Sequence, residues 1–314
     1  MSIHLKSKSS RKLSRWDTFI SHASKDLATV RALIELLKSK RLKPWIDDGG
    51  VQFGDLLRDN LQSAIRESRT FVLVWSKAAA ESRWVIAELL TAFHMGRFII
   101  PCVLDAAPLP QFLQNLAYLD RKRDRAQLAE KLAAAIRGAP GKRNKITPLL
   151  ASDRSEVRNE YVPIAIEQRR ELQALGNGNI DLSRKIHAAL DKSVRAAVRR
   201  FPLEAKILNV AGYHQKNAYM LNHWDAIQAG RAPPDPLLQK SEHYFFASLQ
   251  ANPLDPSALN GIGSILLFER ELDAAEFFQR RALEAAAKEG YEYPEAQQDL
   301  DLTLQYKHGA RLSA

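Results

Sequence analysis

The chain alternates short apolar runs with longer amphipathic stretches between Trp16 and about Gly138. Four of the apolar runs have the length of strands and predict strands at 16–21, 43–47, 70–75 and 98–104. The helical spacing of apolar residues between the runs predicts connecting helices, the first of them capped by Ser24. The residues that carry this spacing are Leu27, Val30, Leu33, Ile34 and Leu37, and then Leu56, Leu57, Leu61, Ala64 and Ile65. The pattern predicts an α/β fold in which helices cover a parallel sheet on both faces.

The run at 71–75 has no polar alternation, which is typical of a strand buried on both faces of a parallel sheet. In open sheets of this kind, ligands bind beyond the carboxyl ends of the strands. We therefore expect the functional site in the loops that follow Ser21, Asp47 and Trp75.

Beyond Gly138 the composition changes to that of a linker, at 139–145, and helical periodicity then dominates without a convincing strand. Pro163 and the segment 176–179 interrupt the stretch before 185, which we interpret as a connecting helix or two. The last third resembles tetratricopeptide repeats of about 34 residues, with an ordinary helical bundle as the alternative. The residues that carry this likeness are Gly263, Leu266, Ala275, Ala282 and Leu283, and in an earlier unit Leu208, Gly212 and Tyr213.

The 314 residues, 46% hydrophobic and 26% charged, have the composition of a globular protein, and the length predicts about two domains. Cys102 is the only cysteine, which excludes an internal disulfide or a thiolate metal cluster, so we expect a reducing compartment and no metal. The longest apolar runs have strand length, and the basic N-terminus lacks the apolar stretch of a signal peptide. We therefore expect a cytoplasmic protein without a membrane span.

The formal net charge of +10 raises the question of nucleic-acid binding, because neutralised phosphates release counterions. The basic residues concentrate in the first fifteen positions and between Arg121 and Lys145, where no aromatic residues are interleaved in a recognised binding motif. We favour a basic disordered tail and a solvated helix with its linker, and keep nucleic-acid binding as a less favoured alternative. The expected organisation is a tail at 1–14, an α/β domain at 15–138, a linker with connecting helix at 139–185 and a helical repeat domain at 186–310.

Four motifs in the α/β domain resemble, in order and spacing, the Toll/interleukin-1 receptor homology (TIR) domain. They are the segment 16–26, Trp45–Asp47 with Gly54, Ala64–Ile65 with Ser68–Arg69, and Ser82–Trp84 with Glu88–Leu89. The resemblance implies a flavodoxin-like fold with a parallel five-stranded sheet. It also implies one of two activities, either scaffolding by domain association or cleavage of NAD at the bond between nicotinamide and ribose.

Glu88 is the residue that could carry this cleavage. With Trp84 and Thr91 it lines the edge of the helix's broad apolar arc, which predicts a carboxylate at the rim of the core beside an aromatic face. Nicotinamide leaves NAD as a neutral base, so the enzyme has to stabilise the positive charge left on the ribose, and one carboxylate can do so. Glu88 also matches the family's catalytic glutamate, and Trp84 matches an aromatic position that shapes the nicotinamide end. For Trp84, anchoring the helix to the sheet is an equal alternative.

The resemblance implies further contacts to NAD, which would be a substrate and not a cofactor. The implied residues are Ser21, His22, Ala23, Ser24, Lys25, Asp47 and Leu56. The first five lie where a strand meets a helix N-terminus, whose free N–H groups suit a phosphate or a ribose. We favour loop packing or a ligand contact for His22, and a loop anchor or a ribose contact for Asp47.

The loop at 48–54 contains three glycines and corresponds to the family's mobile loop, which helps neighbouring domains to assemble. The sequence therefore predicts an NAD glycohydrolase that forms homo-oligomers through its TIR domains, with a trigger, a protein or a ligand, recognised by the helical region. The pairing with helical repeats resembles prokaryotic defence proteins. The alternative is a non-catalytic adaptor that recruits partners through both regions.

Overall fold

Five parallel strands form one sheet. The strands are β1 (Trp16–Ser21), β2 (Pro44–Ile46), β3 (Ser68–Trp75), β4 (Phe98–Val103) and β5 (Leu119–Asp120). Their order in the sheet is β2-β1-β3-β4-β5. The first four overlap the apolar runs that predict them. The parallel five-stranded sheet implied by the TIR resemblance is thereby confirmed.

The computed structural model describes residues 14–46, 57–124, 127–140, 144, 146 and 154–312. These residues form two compact units, one within 1–107 and 117–144 and the other within 108–116 and 145–314. Residues 1–13 of the predicted basic tail lie outside the described residues. None of the described helices is both long and apolar enough to cross a membrane.

Helices lie on both faces of the sheet, as the uninterrupted apolar run in β3 predicts. The described helices of the unit that contains the sheet are α1 (Leu27–Ser39), α2 (Leu57–Glu67), α3 (Lys77–Ala80), α4 (Arg83–His94), α5 (Arg121–Asp124) and α6 (Leu128–Gly138). One face of the sheet, which includes Ile20, Val72 and Ile100, forms a core with α1 and α6. On the opposite face α2 and α4 contact each other and the strands.

The prediction that Ser24 caps the first helix is wrong. Ser24–Asp26 forms a 3₁₀ turn, in which the N–H of Asp26 donates to the carbonyl oxygen of Ala23 at 2.8 Å. The α-helix therefore begins only at Leu27, with Asp26 in the N-cap position. The extra turn lengthens the loop that follows β1 and places a carboxylate at its end.

Asn144 completes the hydrogen bonding of β4 where β5 is too short to do so. The two residues of β5 pair with Cys102 and Val103, at the far end of β4. Nearer the start of β4, the N–H of Ile99 donates to Asn144 Oδ1 at 2.6 Å, and Asn144 Nδ2 donates to the Ile99 carbonyl oxygen at 3.0 Å. One side-chain amide thus takes the place of a strand residue.

The second unit is all-helical in its described residues apart from a short 3₁₀ turn. Its helices are α7 (Ser155–Gly176), α8 (Ile180–Arg200), α9 (Ala205–Asn222), α10 (Trp224–Gln228), α11 (Pro236–Ala251), α12 (Pro256–Phe268), α13 (Leu272–Glu289) and α14 (Pro294–Leu312). They associate as pairs, α7 with α8, α9 with α11, and α12 with α13. The tetratricopeptide likeness stays a prediction.

The predicted boundary at 185, between a linker with connecting helix and the repeat domain, falls inside α8, and the second unit includes both α7 and α8. Apolar residues of these two helices, among them Ile164 and Leu190, share a core with Ile207 of α9. Pro163 does not interrupt the first of them as predicted, because α7 continues through it from Ser155 to Gly176. The loss of one backbone N–H is offset by the packing of the helix against its neighbours.

Glycines allow close approach of helices in this unit. A Cβ added to Gly263 would lie 2.6 Å from Cγ of Gln279, and one added to Gly261 would lie 2.4 Å from Cζ of Phe245. Both distances are far shorter than a van der Waals contact, so α12 can occupy its place against α11 and α13 only with glycine at these positions.

Candidate functional site

The carboxyl ends of β1, β3 and β4 lie at one edge of the sheet, because the strands are parallel. Ser21 closes β1 and pairs in register with Leu73 of β3. Side chains alternate between the faces of a sheet, so Ser21 points to the face opposite Ile20, the face on which α2 and α4 lie. The side chains described next lie at or beyond these strand ends, where the sequence predicts the site.

Ser21 presents a buried hydroxyl group at this edge. The residue is 1% exposed, and its Oγ has no hydrogen-bond partner in the described part of the chain. A buried hydroxyl without a partner is unfavourable, since it has lost its water and gained nothing in return. Ser21 is therefore suited to bind a hydroxyl or phosphate group of a ligand.

The residues that follow Ser21 lead out to the surface. His22 is half-buried and interacts with its surroundings, and Ala23 is buried. Ser24 and Lys25 are exposed in the 3₁₀ turn. The loop after β1 thus runs from a buried hydroxyl to an exposed ammonium group, which suits a ligand that is part sugar and part phosphate.

Asp26 and Ser76 join the loop after β1 to the loop after β3. Ser76 Oγ donates to Asp26 Oδ2 at 2.6 Å and accepts the N–H of Ala79 at 3.1 Å, so the same oxygen also caps α3. Ser76 is buried. Two loops at the rim of the candidate site are therefore held in one arrangement by a single hydroxyl group.

The loop after β4 is joined to the same rim. Asp105 Oδ2 accepts the N–H of Lys77 at 2.9 Å, and Asp105 Oδ1 accepts the N–H of Ala107 at 2.9 Å. The N–H of Leu104 donates to the carbonyl oxygen of Trp75 at 2.8 Å. These bonds fix three loops relative to one another before any ligand arrives, which is what a preorganised site requires.

Glu88 lies on α4, which contacts β1 and β4. Ser82 begins this helix by accepting the N–H of Val85 at 3.4 Å. Glu88 is only 8% exposed, so it is more buried than the rim position that its place on the apolar arc predicts. It interacts with neighbouring groups and is not isolated. A carboxylate in such a low-dielectric place acts on a nearby positive charge much more strongly than a solvated one.

Trp84 lies one helical turn before Glu88 and is 44% exposed. The guanidinium carbon of Arg83 lies 5.0 Å from the centroid of its ring. A tryptophan that anchored α4 to the sheet would be buried, whereas this ring has a large accessible surface. The side chains of Trp84 and Glu88 therefore form an aromatic surface and a buried carboxylate on successive turns of the same helix.

A family model described as a TIR domain matches residues 18–136. This part of the chain is a TIR domain. The match includes all five strands except the first two residues of β1, and it includes Glu88, Trp84 and the loops that the hydrogen bonds above hold together.

The curated relatives that resemble the TIR domain include plant and archaeal proteins. The chain is 30% identical over 123 residues to the probable 2′ cyclic ADP-D-ribose synthase BdTIR of Brachypodium distachyon. The aligned residues cover 37% of this chain and 55% of that protein. It is 36% identical over 94 residues to the probable 2′ cyclic ADP-D-ribose synthase TcpO of Methanobrevibacter olleyae, covering 29% of this chain and 28% of that protein. It is 39% identical over 75 residues to the NAD(+) hydrolase TcpA of Theionarchaea archaeon, covering 24% of this chain and 23% of that protein.

A bacterial relative is also similar. The 2′ cyclic ADP-D-ribose synthase AbTIR of Acinetobacter baumannii is 36% identical over 91 residues, which cover 27% of this chain and 34% of that protein. The matches thus span about half the length of the plant relative and between about a quarter and a third of the three prokaryotic ones.

The TIR domain holds some of the predicted site residues together and leaves others undescribed. Ser21, His22, Ala23, Ser24 and Lys25 are consecutive at the end of β1, and Trp84 and Glu88 share α4. Asp47 and Leu56 lie outside the described residues. Within the described residues, no group of three or more His, Cys, Asp or Glu side chains could hold a metal ion.

Sequence reasoning missed Asp26 and Ser76 as residues that shape the site. Ser76 follows the apolar run of β3, and Lys77 and three alanines come after it, so its role as an N-cap could have been recognised from the sequence. Its bond to Asp26 spans 50 positions, and no local pattern predicts a contact of that kind.

Proposed function

We propose that this chain cleaves NAD⁺ at the bond between nicotinamide and ribose, with the Glu88 carboxylate stabilising the charge that develops on the ribose. The observation that carries the proposal is the burial of Glu88 on α4, 8% exposed and one turn from the accessible ring of Trp84. The relatives named as an NAD(+) hydrolase and as 2′ cyclic ADP-D-ribose synthases support the same reaction class.

The reaction requires that the protein orient the substrate and supply a negative charge near the ribose. The C–N bond breaks with its electron pair going to the nitrogen, so nicotinamide leaves as a neutral molecule and no general acid is needed. The ribose carbon becomes oxocarbenium-like, and a buried carboxylate offsets its positive charge in the transition state more than in the ground state.

A nucleophile then completes the reaction. Water adds to the ribose carbon and loses a proton to solvent, which gives linear ADP-ribose, or a hydroxyl group of the same molecule adds and loses its proton, which gives a cyclic product. In this proposal Ser21 binds a hydroxyl group of the ligand, supported by its buried Oγ, and the exposed Lys25 attracts a phosphate. We propose that Trp84 stacks on a planar ring of the substrate.

Chromatography of NAD⁺ incubated with the purified chain tests the proposal. We expect free nicotinamide together with linear or cyclic ADP-ribose from the wild type. Glu88→Gln should release nicotinamide at least about 10²-fold more slowly, the usual cost of removing one charge-stabilising group. Glu81→Gln is the matched control, because Glu81 is exposed just before the same helix. Absence of nicotinamide from the wild type under crowded and assembled conditions would favour the adaptor alternative.

We further propose that TIR domains associate to form the active state and that the helical unit controls this association by recognising a trigger. Because association depends on concentration, specific activity should rise with protein concentration. Activity strictly proportional to concentration would contradict control by assembly.

The likeness to prokaryotic defence proteins leads us to propose a role in antiviral defence by depletion of NAD⁺. Cells that express the wild-type chain should lose NAD⁺ and block phage growth on infection, whereas cells that express Glu88→Gln should do neither. Equal protection by the two chains would contradict this role.

A further inference from the structure

Two histidine rings stack where the hairpin formed by α7 and α8 packs against α9. The rings of His187 on α8 and His214 on α9 have their centroids 4.1 Å apart and their planes 9° from parallel. His214 is 2% exposed, and the side chain of His187 is 20% exposed. Neutral rings gain from such stacking, whereas two imidazolium ions at this distance in a buried place repel each other strongly.

Glu171 of α7 joins the stacked rings to the third helix. Its buried carboxylate has Oε1 at 2.8 Å from Nδ1 of His187, and Oε2 accepts a hydrogen bond from Nδ2 of Asn217 on α9 at 2.9 Å. Ser183 Oγ of α8 donates to the carbonyl oxygen of Glu171 at 3.1 Å. One residue of α7 therefore bonds to both α8 and α9 at the place where the rings stack.

His214 lacks an acceptor for a second N–H group. Its Nε2 lies 3.4 Å from Oδ1 of Asp191 on α8. An ionised carboxylate only accepts hydrogen bonds, so Nε2 carries the hydrogen of the neutral ring and Nδ1 carries the lone pair. Among the residues that the structure describes, the buried Nδ1 has no hydrogen-bond partner. A proton added at Nδ1 would therefore create a buried charge whose N–H is not hydrogen-bonded.

The charged and titratable groups that face His214 come from two helices. They are Glu171 of α7 and His187, Asp191 and Arg195 of α8. The helices α11 and α12 also pack against α9, but none of their described titratable groups is paired with His214. Burial is the largest cause that lowers the pKa of His214 to about 4, and His187 and Arg195 act in the same direction against Glu171. The closed arrangement thus excludes a proton that an exposed histidine would take up.

We propose that the stacked histidines are a proton-sensitive switch, which holds the hairpin of α7 and α8 on α9 near neutral pH and releases it in mildly acidic solution. Apart from each other, α7 and α8 pack mainly on α9, so the hairpin can open while α11 to α14 stay folded. Opening exposes His214, which takes up a proton, and the charged ring then disfavours the return to the stack. The hairpin follows the TIR domain in the chain, so its release lengthens the segment that joins the two units.

Hydrogen exchange of the full chain, followed by mass spectrometry across a series of pH values, tests the switch. The measured rates are corrected for the intrinsic pH dependence of amide exchange. We expect opening of the α7 and α8 amides to rise by up to about 10-fold per pH unit below pH 6.5, because each opening takes up one proton. The amides of α12 and α13 should show no such rise.

His214→Gln should remove most of this dependence, because glutamine can still donate to Asp191 but takes up no proton. Opening of its hairpin should change by less than about 2-fold per pH unit. His243→Gln is the matched control, since His243 is an exposed histidine of α11, and it should keep the dependence of the wild type. The comparison of the hairpin with α12 and α13 needs no variant and stands even if His214→Gln folds poorly.

Three results would overturn the proposal. They are opening of the hairpin that does not change with pH, an equal rise in the amides of α12 and α13, and an undiminished rise in His214→Gln. The switch goes beyond the proposed cleavage of NAD⁺, and because the exchange measurement needs no NAD⁺, its failure is distinguishable from the absence of NAD⁺ cleavage.

Discussion

Replacing Ser76 by alanine should destabilise the TIR domain by about 2–4 kcal/mol. The change removes an N-cap to Ala79, for which losses of about 0.5–2 kcal/mol are usual, and a hydrogen bond to the Asp26 carboxylate, for which about 1.5–3 kcal/mol is usual. We take the lower part of the summed range, because Asp26 is half-buried and water can replace part of the lost bond.

Thermal unfolding followed by circular dichroism measures the effect. With an unfolding entropy of about 2.1 cal/mol/K per residue, this loss lowers the Tm of residues 18–136 by roughly 8–16 °C. Ser24→Ala is the control, because Ser24 is exposed in the same rim and its substitution should change stability by less than about 0.5 kcal/mol.

A double-mutant cycle with Asp26→Ala separates the bond between the loops from the N-cap. If Ser76 and Asp26 are bonded, the double variant should be less destabilised than the sum of the single variants by at least about 0.5 kcal/mol. Additive effects, or a Ser76→Ala variant as stable as Ser24→Ala, would refute the reasoning that one hydroxyl group holds the two loops.

Three further predictions concern stability. Burial lowers the pKa of His214 from 6.5 to about 4, so between these pH values the unfolded chain binds more protons than the folded one. The free energy of unfolding should therefore be constant with respect to this group above pH 6.5 and fall by about 2 kcal/mol, allowing for partial solvent screening, as the pH drops to 4. Urea titrations across this range should show the loss in the wild type and a smaller one in His214→Gln. Asn144→Ala leaves the N–H and carbonyl groups of Ile99 without their partner, so it should lower the free energy of unfolding by about 1–3 kcal/mol and speed hydrogen exchange at the Ile99 amide. Unchanged exchange at this amide would contradict the role assigned to Asn144. Gly261→Ala places a Cβ against the buried ring of Phe245 and should lower the free energy of unfolding by about 1–3 kcal/mol. Chemical denaturation should show that the double variant with Phe245→Leu regains part of this loss.

Strands with a clear run of apolar residues were predicted from the sequence. The limits of β1 agree with the apolar run at 16–21, and the unbroken run in β3 correctly indicates burial on both faces. The two residues of β5 are too few to show a period, so this strand followed only from the TIR resemblance. Pro163 predicted an interruption that packing against α8 and α9 overrides.

The residues of the candidate site stay a prediction, and the geometry around them depends on contacts that local patterns do not show. The helical period places Glu88 at the edge of an apolar arc, and the structure buries it further than that position predicts, to 8% exposure. The loops of the candidate site depend on bonds such as Ser76 to Asp26, which join distant parts of the chain. A single sequence contains the partners but not their pairing.

In the reaction that we propose, the buried carboxylate of Glu88 stabilises the positive charge formed when nicotinamide leaves. Its most direct test is the kcat for nicotinamide release by Glu88→Gln, measured beside the affinity of the same variant for NAD⁺. We expect a kcat lower by at least about 10²-fold with an affinity close to that of the wild type, because the interaction is made mainly in the transition state. A folded Glu88→Gln chain that releases nicotinamide at the wild-type rate would contradict it.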